Sequence, residues 1–510
     1  MVLDAVVIGA GHNGLVAATL LARAGWSVEV LEQAPVAGGA IGSDTTSRGY
    51  RHDWGSAFYG VLHASPVFRE LGLDRRVSWA GTDLPVAVLH GPGDPALLWS
   101  TDERTADGLG PDGAAWRALL TWWDARGRAL FDATLGPVPS LALLLAGLRL
   151  GPRGVLRTTG QLLEPVEAWA ANTFAGAAAR MLVVGHATHG DVGVDAAGST
   201  PPALLLTMAA QRLGMPVPIG GASVLADAFV AAAQDAGVVV RTGVEVTQVV
   251  VRGGRAVGVA CADGTEIVVR RAVVACTAPD VLARDLVGEQ HLPGPWLAQL
   301  ARHRWASGYF RVDVDLSEPA PWAGPDVQEA MVVHVTGDVD ELALSQAQVS
   351  RGLLPAAPQL IVGQQDRADP SRVPAGAASL WVECRCPARP CGDAAGDLAP
   401  DWAPGFAERV LDRLSAYAPG LRERIVDTTV TTPLDLQRRD PNLHGGDVAG
   451  GSASPDQLLV FRPVAGWSPW RLPVRGLYQC GAATHPGGGV HGMPGRNAAR
   501  TVLRDAHLRR

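Results

Sequence analysis

Gly9-Ala10-Gly11-His12-Asn13-Gly14, with Glu32 placed 23 residues beyond Gly9, has the types and spacing needed to hold a dinucleotide. Gly9 permits a tight turn, Gly11 lets a pyrophosphate approach the backbone, and Gly14 lets a helix pack closely on a strand. A helix starting at this turn offers unpaired N–H groups and a partial positive charge to the phosphates. His12 and Asn13 stand inside the turn and count among the expected cofactor contacts. Glu32 can accept hydrogen bonds from both ribose hydroxyls and would repel a 2′-phosphate. The motif by itself therefore points to FAD or NAD rather than NADP.

The elements that must position these residues are readable on either side. Residues 4–9 form an apolar, β-branched run expected as a buried strand, 15–24 a helix, and 27–31 a second strand ending at Glu32. Gly38 and Gly39 lie in a Gly-rich loop suited to cover a nucleotide, and 49–60 mixes turn residues with aromatics as a cavity wall would. Residues 65–73 read as a short helix after Ser65-Pro66. From 76 to 214 the chain reads as helical and Trp-rich. Residues 217–280 return to α/β character, with a helix through 236, strands at 238–241, 246–252, 256–260 and 266–270, and a final apolar run at 272–275. Turns at Gly253-Gly254 and Asp263-Gly264 make the middle three strands a meander. A second irregular insertion, 286–455, holds strands near 309–315 and 379–385 and a helix near 404–417. Residues 476–481 then read as a strand entering a glycine turn, followed by a helix from about 492.

The expected fold class is α/β: a Rossmann-like, glutathione reductase-type nucleotide domain with an inserted α+β substrate domain. Residues 1–75, 215–285 and 456–510 form the discontinuous first domain, and 76–214 with 286–455 form the second. Residues 138–157 contain an apolar run too short for a bilayer, which needs roughly 20 apolar residues. Two readings stand there: a buried helix, or a tunnel-mouth helix docked on a membrane with Arg149, Arg153 and Arg157 at the headgroups.

Composition sets limits. The net charge of −7 and lack of a basic tail argue against nucleic acid as a partner. No lysine occurs, which excludes Schiff-base chemistry and any lysine-assisted step. Cys384, Cys386 and Cys391 cluster in what reads as a Pro- and Arg-rich loop of free thiols, with no fourth ligand at zinc spacing, so no metal is expected. No Cys-x₂-Cys or Cys-x₄-Cys pair follows the nucleotide motif, against a disulfide reductase. The first strand begins by residue 4 and leaves no room for a signal peptide, so a cytoplasmic protein is expected, with peripheral membrane association as the second reading.

Blocks spread along the chain resemble one family. Residues 9–18 open it, and Pro218-Ile219-Gly220-Gly221-Ala222 lies mid-chain. Thr432-Pro433-Leu434-Asp435-Leu436 followed by Gly445-Gly446-Asp447 comes late. Most specific is Gly481-Ala482-Ala483-Thr484-His485-Pro486-Gly487-Gly488-Gly489-Val490-His491-Gly492-Met493-Pro494-Gly495-Arg496. Together they resemble the phytoene desaturase-type FAD-dependent oxidoreductases. The likeness is greatest to the branch of carotene ketolases and pyridine nucleotide-disulfide oxidoreductase-like proteins within the flavin amine oxidase superfamily.

The resemblance implies FAD, with Gly9, Gly11 and Gly14 at the pyrophosphate and Glu32 at the adenosine ribose. Gly38 and Gly39 would run along the cofactor, and Val246 would meet the adenine through its backbone. Gly481, Gly488, Gly489 and Val490 would close over the ribityl chain and ring. Backbone N–H groups of Gly489 and Val490 would then stabilise negative charge near N1 and C2=O of the ring. Ala40 departs from the arginine that amine oxidases and many desaturases carry after the paired glycines, which weighs against the amine oxidase reading.

The implied chemistry is dehydrogenation of C–C bonds of an apolar, polyene-like, lipid-like or natural-product substrate, with re-oxidation by O₂ or a quinone. A proton must leave with the hydride. The candidates for it are His189 and Asp191, His485 and His491, with His52 and Asp53 beside the aromatic loop. Arg496 is expected to orient backbone. An amine oxidase-like or other small-molecule flavin oxidase is the alternative. It would need an aromatic cage, for which Tyr59, Trp467, Trp470 and Tyr478 are the available rings. A flavoprotein-fold partner without turnover is the third reading.

Overall fold

Five of the six residues of the strand Leu3–Ile8 are buried, as a strand covered on both faces requires. The computed structural model describes residues 2–91, 95–138 and 141–508, and of 141–144, 146 and 150 only the backbone. Among the described residues the chain builds two seven-stranded sheets. The first runs Val246–Arg252, Arg255–Cys261, Glu266–Ala275, Leu3–Ile8, Val28–Leu31 and Val239–Arg241, with Leu477–Gln479 on the other side of Glu266–Ala275. Leu3–Ile8 pairs in parallel with both of its neighbours. The helices His12–Arg23, Ala222–Asp235 and Met493–Leu508 pack on one face through Leu15, Phe229 and Val502, and Val259, Leu282 and Trp296 cover the other. This is the layered α/β arrangement of a Rossmann-like nucleotide fold.

One difference from expectation lies in Glu266–Ala275. Its start closes the antiparallel meander and its end enters the parallel sheet, so 266–270 and 272–275 are one strand of ten residues. Arg270 and Arg271 do not break it, because both guanidinium groups reach Asp4, at 3.4 and 3.0 Å.

The second sheet runs Ile425–Thr431, Gly308–Leu316, Ala378–Cys386, Leu360–Gly363, Ala330–Val335, Leu84–Leu89 and Ala96–Leu98. Strand alternation sorts its side chains onto two faces. Phe310, Val312, Val314, Leu380 and Val382 join an apolar core under the helix Trp402–Tyr417. Tyr309, Arg311, Asp313 and Asp315 alternate with them, and all of Gly308–Leu316 is buried.

Two expectations are corrected here. Residues 76–214 are not wholly helical, since Leu84–Leu89 and Ala96–Leu98 form an edge of the second sheet. Cys384 and Cys386 are not in a loop: both are buried in the strand Ala378–Cys386, and Cys391 alone of the three is exposed. The helix Leu141–Leu163 bends at Gly151 (φ 65°), ahead of Pro152. Leu148 and Leu156 are more than two-thirds exposed, and Arg149, Arg153 and Arg157 are exposed with them. The side chains of the leucine run at 141–144 lie outside the described residues. Among the described residues no helix is long and apolar enough to cross a membrane.

Candidate functional site

The helix His12–Arg23 starts from Gly11, which supplies no side-chain cap, and carries no acidic residue in its first turn. Its leading N–H groups are thus left for an anion. The close approaches behind this turn need glycine. A Cβ on Gly14 would sit 2.2 Å from the Gly9 carbonyl oxygen, and one on Gly495 would sit 2.1 Å from the Asn13 carbonyl oxygen. The first helix is therefore wedged between its own entry strand and Met493–Leu508. Asn13 also accepts from the Gly495 N–H at 3.4 Å.

The remaining cofactor candidates gather on this wedge. Gly38 donates to the Ala10 carbonyl at 3.0 Å, and a Cβ on Gly39 would lie 3.1 Å from Gly11 Cα, so the second glycine pair rests on the first turn. The Glu32 carboxylate accepts from Ala10 N–H at 2.7 Å and Ala34 N–H at 2.9 Å. Each of its oxygens keeps a lone pair for a ribose hydroxyl. The Val244 N–H donates to the Glu32 carbonyl at 2.8 Å, which carries the chain past Glu32 into the strand that begins at Val246. Cys480 donates to the Ala275 carbonyl at 2.8 Å, so Gly481 leaves the same sheet edge as Gly9.

Gly488 packs on the loop after Asp447, where its Cβ would meet Ala449 Cα at 2.4 Å. His12 hydrogen-bonds the Gly489 backbone, joining the first motif to the last, and Val490 packs on the core beside it. Burial lowers the His12 imidazole to about 4, and its Nε2 has no partner among the described residues. An uncapped helix start, a glycine-lined surface and an orphaned buried ring nitrogen all fit a bound dinucleotide.

Arg462, buried and lowered to about 10 by desolvation, ties the last motif down. It donates to the carbonyls of Ala449 (2.6 Å), Ser452 (3.1 Å) and Ala482 (3.1 Å). Arg496 forms a two-pronged pair with Glu70 and holds the last helix on the Pro66–Glu70 turn.

The proton-handling candidates do not converge on one point. His485 bonds the Gly136 carbonyl through Nε2 at 2.8 Å, and burial lowers it to about 4. His491 accepts from the Met493 N–H at Nδ1 and therefore donates from Nε2 to the Gly488 carbonyl at 3.2 Å. Burial and the neighbouring His12 lower it to about 3. Both rings are neutral; His491 is committed to backbone through both nitrogens, and His485 through Nε2, its Nδ1 having no partner among the described residues.

His189 lies 3.0 Å from His334, ring nitrogen to ring nitrogen, beside His186 in a buried cluster. Burial and His186 lower His189 to about 3. Asp191 accepts from the Ala453 N–H at 2.9 Å. His52 bonds Asp315 at 2.6 Å. Burial opposes its charge, but Asp315 and Asp313 outweigh burial and raise its pKa above the usual value. Asp53 is fully buried, paired with Arg372 at 2.8 Å and bonded by the Ala222 N–H at 2.8 Å. That pairing binds the aromatic loop to the mid-chain glycine motif.

The aromatic candidates are largely spent elsewhere. Tyr59, Trp470 and Tyr478 belong to the core of the first sheet, and Trp467 is over a third exposed. Sequence reasoning missed Glu383, Arg462 and His334. Glu383 and His334 lie in strands, where charged and polar residues read as solvent faces unless the covering layer is known, and Arg462 lies in a loop whose burial no local pattern signals.

The chain is similar over most of its length to named proteins. Pyridine nucleotide-disulfide oxidoreductase domain-containing protein 2 of Rattus norvegicus is 29% identical, across 98% of this chain and 93% of that protein. A limonene dehydrogenase component from Castellaniella defragrans is 27% identical across 99% and 95%. Phytoene desaturase (neurosporene-forming) of Rhodobacter capsulatus is 28% identical across 96% and 92%. In fold it is similar to the crystal structure of an oxidoreductase from Methanosarcina mazei, with a TM-score of 0.61 and 16% identity over 98% and 99% of the two chains. The family described as flavin containing amine oxidoreductase matches residues 14–503, so the chain belongs to that family and is an FAD-dependent, phytoene desaturase-like oxidoreductase.

Proposed function

We propose that this flavoenzyme is a dehydrogenase of the desaturase kind, taking hydride and proton from adjacent carbons of an apolar, polyene-like, lipid-like or natural-product substrate. The observation that carries this reading is near full-length similarity to proteins named for dehydrogenating limonene and desaturating phytoene. The burial of Tyr59, Trp470 and Tyr478 supports it, because an amine oxidase's aromatic cage would have to come from other rings.

Bound FAD supplies a two-electron acceptor beside the substrate, and O₂ or a quinone takes the electrons afterwards. Gly9, Gly11, His12, Asn13 and Gly14 bind the pyrophosphate, Glu32 the ribose, and Val246 the adenine. Gly38 and Gly39 flank the cofactor, and Gly481, Gly488, Gly489 and Val490 face its ring. In this reading the flavin domain comprises 1–75, 215–285 and 456–510, and the rest encloses the substrate. The helix Leu141–Leu163 has three arginines, no acidic residue and exposed leucines, which suits peripheral contact with an anionic membrane at the tunnel mouth.

The test is anaerobic bleaching of the bound flavin by polyenes, acyl lipids and amines. A polyene or lipid should bleach it. Bleaching by amines alone would refute the reading in favour of an amine oxidase.

A further inference from the structure

Glu383 is buried, 8% exposed, on the strand Ala378–Cys386. Leu380, Val382, Cys384 and Cys386 face the apolar core under Trp402–Tyr417, so Trp381, Glu383 and Arg385 share the opposite face. There the neighbouring charges are occupied. Arg311, opposite Glu383 in register, turns instead to Asp313 (3.1 Å) and the Trp54 carbonyl. Arg385 donates to the Ser307 and His189 carbonyls and lies 4.0 Å over the Tyr309 ring. The Glu383 carboxyl makes no hydrogen bond or ion pair with the described residues.

The surroundings of this face locate it. Trp381 donates from its indole N–H to the Asp53 carbonyl at 2.8 Å and meets Phe58 edge-on. Past Asp53 the Trp54 and Ser56 N–H groups donate to the Gly42 and Ala40 carbonyls, each at 3.0 Å, which ties this face to the loop that follows Gly39. Gly308, which opens the strand carrying Tyr309 and Arg311, would set a Cβ 2.3 Å from the Gly445 carbonyl oxygen, and the chain runs on from Gly445 to Ala449, the residue pressed against Gly488. The strands carrying Glu383 and Arg311 are thus joined, through residues 53–56 and 445–449, to the 40–42 and 488 loops. In the proposed binding mode, with Gly39 and Gly488 along the cofactor, the substrate lies against this face.

Desolvation outweighs the attraction of Arg311 and Arg385, and Asp313 adds to it, so the Glu383 pKa rises to about 8. The titratable groups around it are Tyr309, Arg311 and Asp313 on the adjacent strand, Arg385 on its own, and Asp191 and Asp447 beyond Tyr309. A carboxyl poised near working pH suits proton transfer, whereas burial holds His485 and His491 down at about 4 and 3.

We propose that Glu383 is the proton acceptor of the dehydrogenation, which rests on the desaturase reading. One substrate C–H gives its hydrogen with both electrons to FAD. The C–H on the adjacent carbon gives its proton to a Glu383 carboxylate oxygen, and the electron pair of that bond becomes the new C=C π bond. Glu383 then releases the proton to solvent.

The test uses the holoenzyme, with E383Q and E383D as variants and a polyene that bleaches the wild type. With the flavin spectrum intact, E383Q should bleach about 10²- to 10⁴-fold more slowly. The wild-type rate should rise with pH and level off above about 8, and E383D should retain such a rise. Infrared difference titration of the resting protein should show a protonated-carboxyl C=O band that disappears near that pH and is missing from E383Q. A wild-type rate in E383Q, a flat wild-type profile, or a band unchanged in E383Q would overturn the assignment while leaving the desaturase reading standing. If E383Q does not retain flavin, the wild-type profile and E383D decide. Failure of every polyene and lipid to bleach the wild type would overturn both.

Discussion

Replacing Arg372 with Met should destabilise the protein more than any single surface change, and the amount follows from its contacts. Arg372 is 1% exposed and stands between two carboxylates, at 2.8 Å from Asp53 and 3.1 Å from Asp369, with a third hydrogen bond to the Pro218 carbonyl at 3.0 Å. Met keeps the length of the side chain but leaves the Asp53 carboxyl group, with no exposed surface, without its cationic partner. Removing one partner of a buried pair costs about 3–5 kcal/mol. Asp53 keeps its bonds from the Ala222 N–H and the Ser43 hydroxyl, at 2.8 and 2.7 Å, which holds the loss toward the lower end. Asp369 keeps the Gly220 N–H at 2.7 Å. In the double variant D53N/R372M the stranded charge is gone, so much of the loss should return. A coupling of about 2 kcal/mol is expected. Urea unfolding followed by tryptophan fluorescence and by flavin release measures it. If the double variant loses the sum of the two single losses, the pair is not coupled and the argument from a stranded buried charge fails.

Four further predictions concern single residues. Gly495→Val should reduce FAD retention, because its side chain must push the Asn13 carbonyl and the phosphate-binding helix away. Gly405→Ala, on a helix with open space at its Cβ, should raise stability by about 0.4–1 kcal/mol, and comparison by thermal unfolding separates packing from helix propensity. Glu32→Gln removes a charged acceptor from the ribose position and should weaken FAD binding about ten- to a hundredfold, read by fluorescence quenching on reconstitution of the apoprotein. His52 has a folded-state pKa above its unfolded value, so its bond to Asp315 contributes fully below the unfolded pKa. The contribution fades as pH rises through the folded one. The stability gap between wild type and H52N should therefore narrow from acidic to alkaline pH, and a gap that widens would contradict the pairing.

Much of the backbone frame of the proposed cofactor site was legible in order along the chain. The turn at 9–14, the acid at 32 and the glycine run at 481–496 are local signals, since each is set by backbone geometry within a few residues. The meander at 246–275 was legible for the same reason, through alternation and two glycine turns. The strand Leu84–Leu89 was not, because it is stabilised by pairing with Ala330–Val335, far along the chain, inside a segment whose nearest signals are helical.

The sequence by itself determined the α/β class and the dinucleotide turn, because glycines and an acid at fixed spacing have few alternative uses, and the resemblance carried by the last glycine motif narrowed the dinucleotide to FAD. Tertiary structure alone decided which charges are buried. Tyr309, Arg311, Asp313, Glu383 and Arg385 alternate with apolar residues as a solvent-facing strand would, yet a second layer covers them. Alternation says which side chains share a face, and only the element packed over that face fixes whether water reaches it. For Glu383 that covering layer turns an ordinary glutamate into an unpaired carboxyl with a raised pKa.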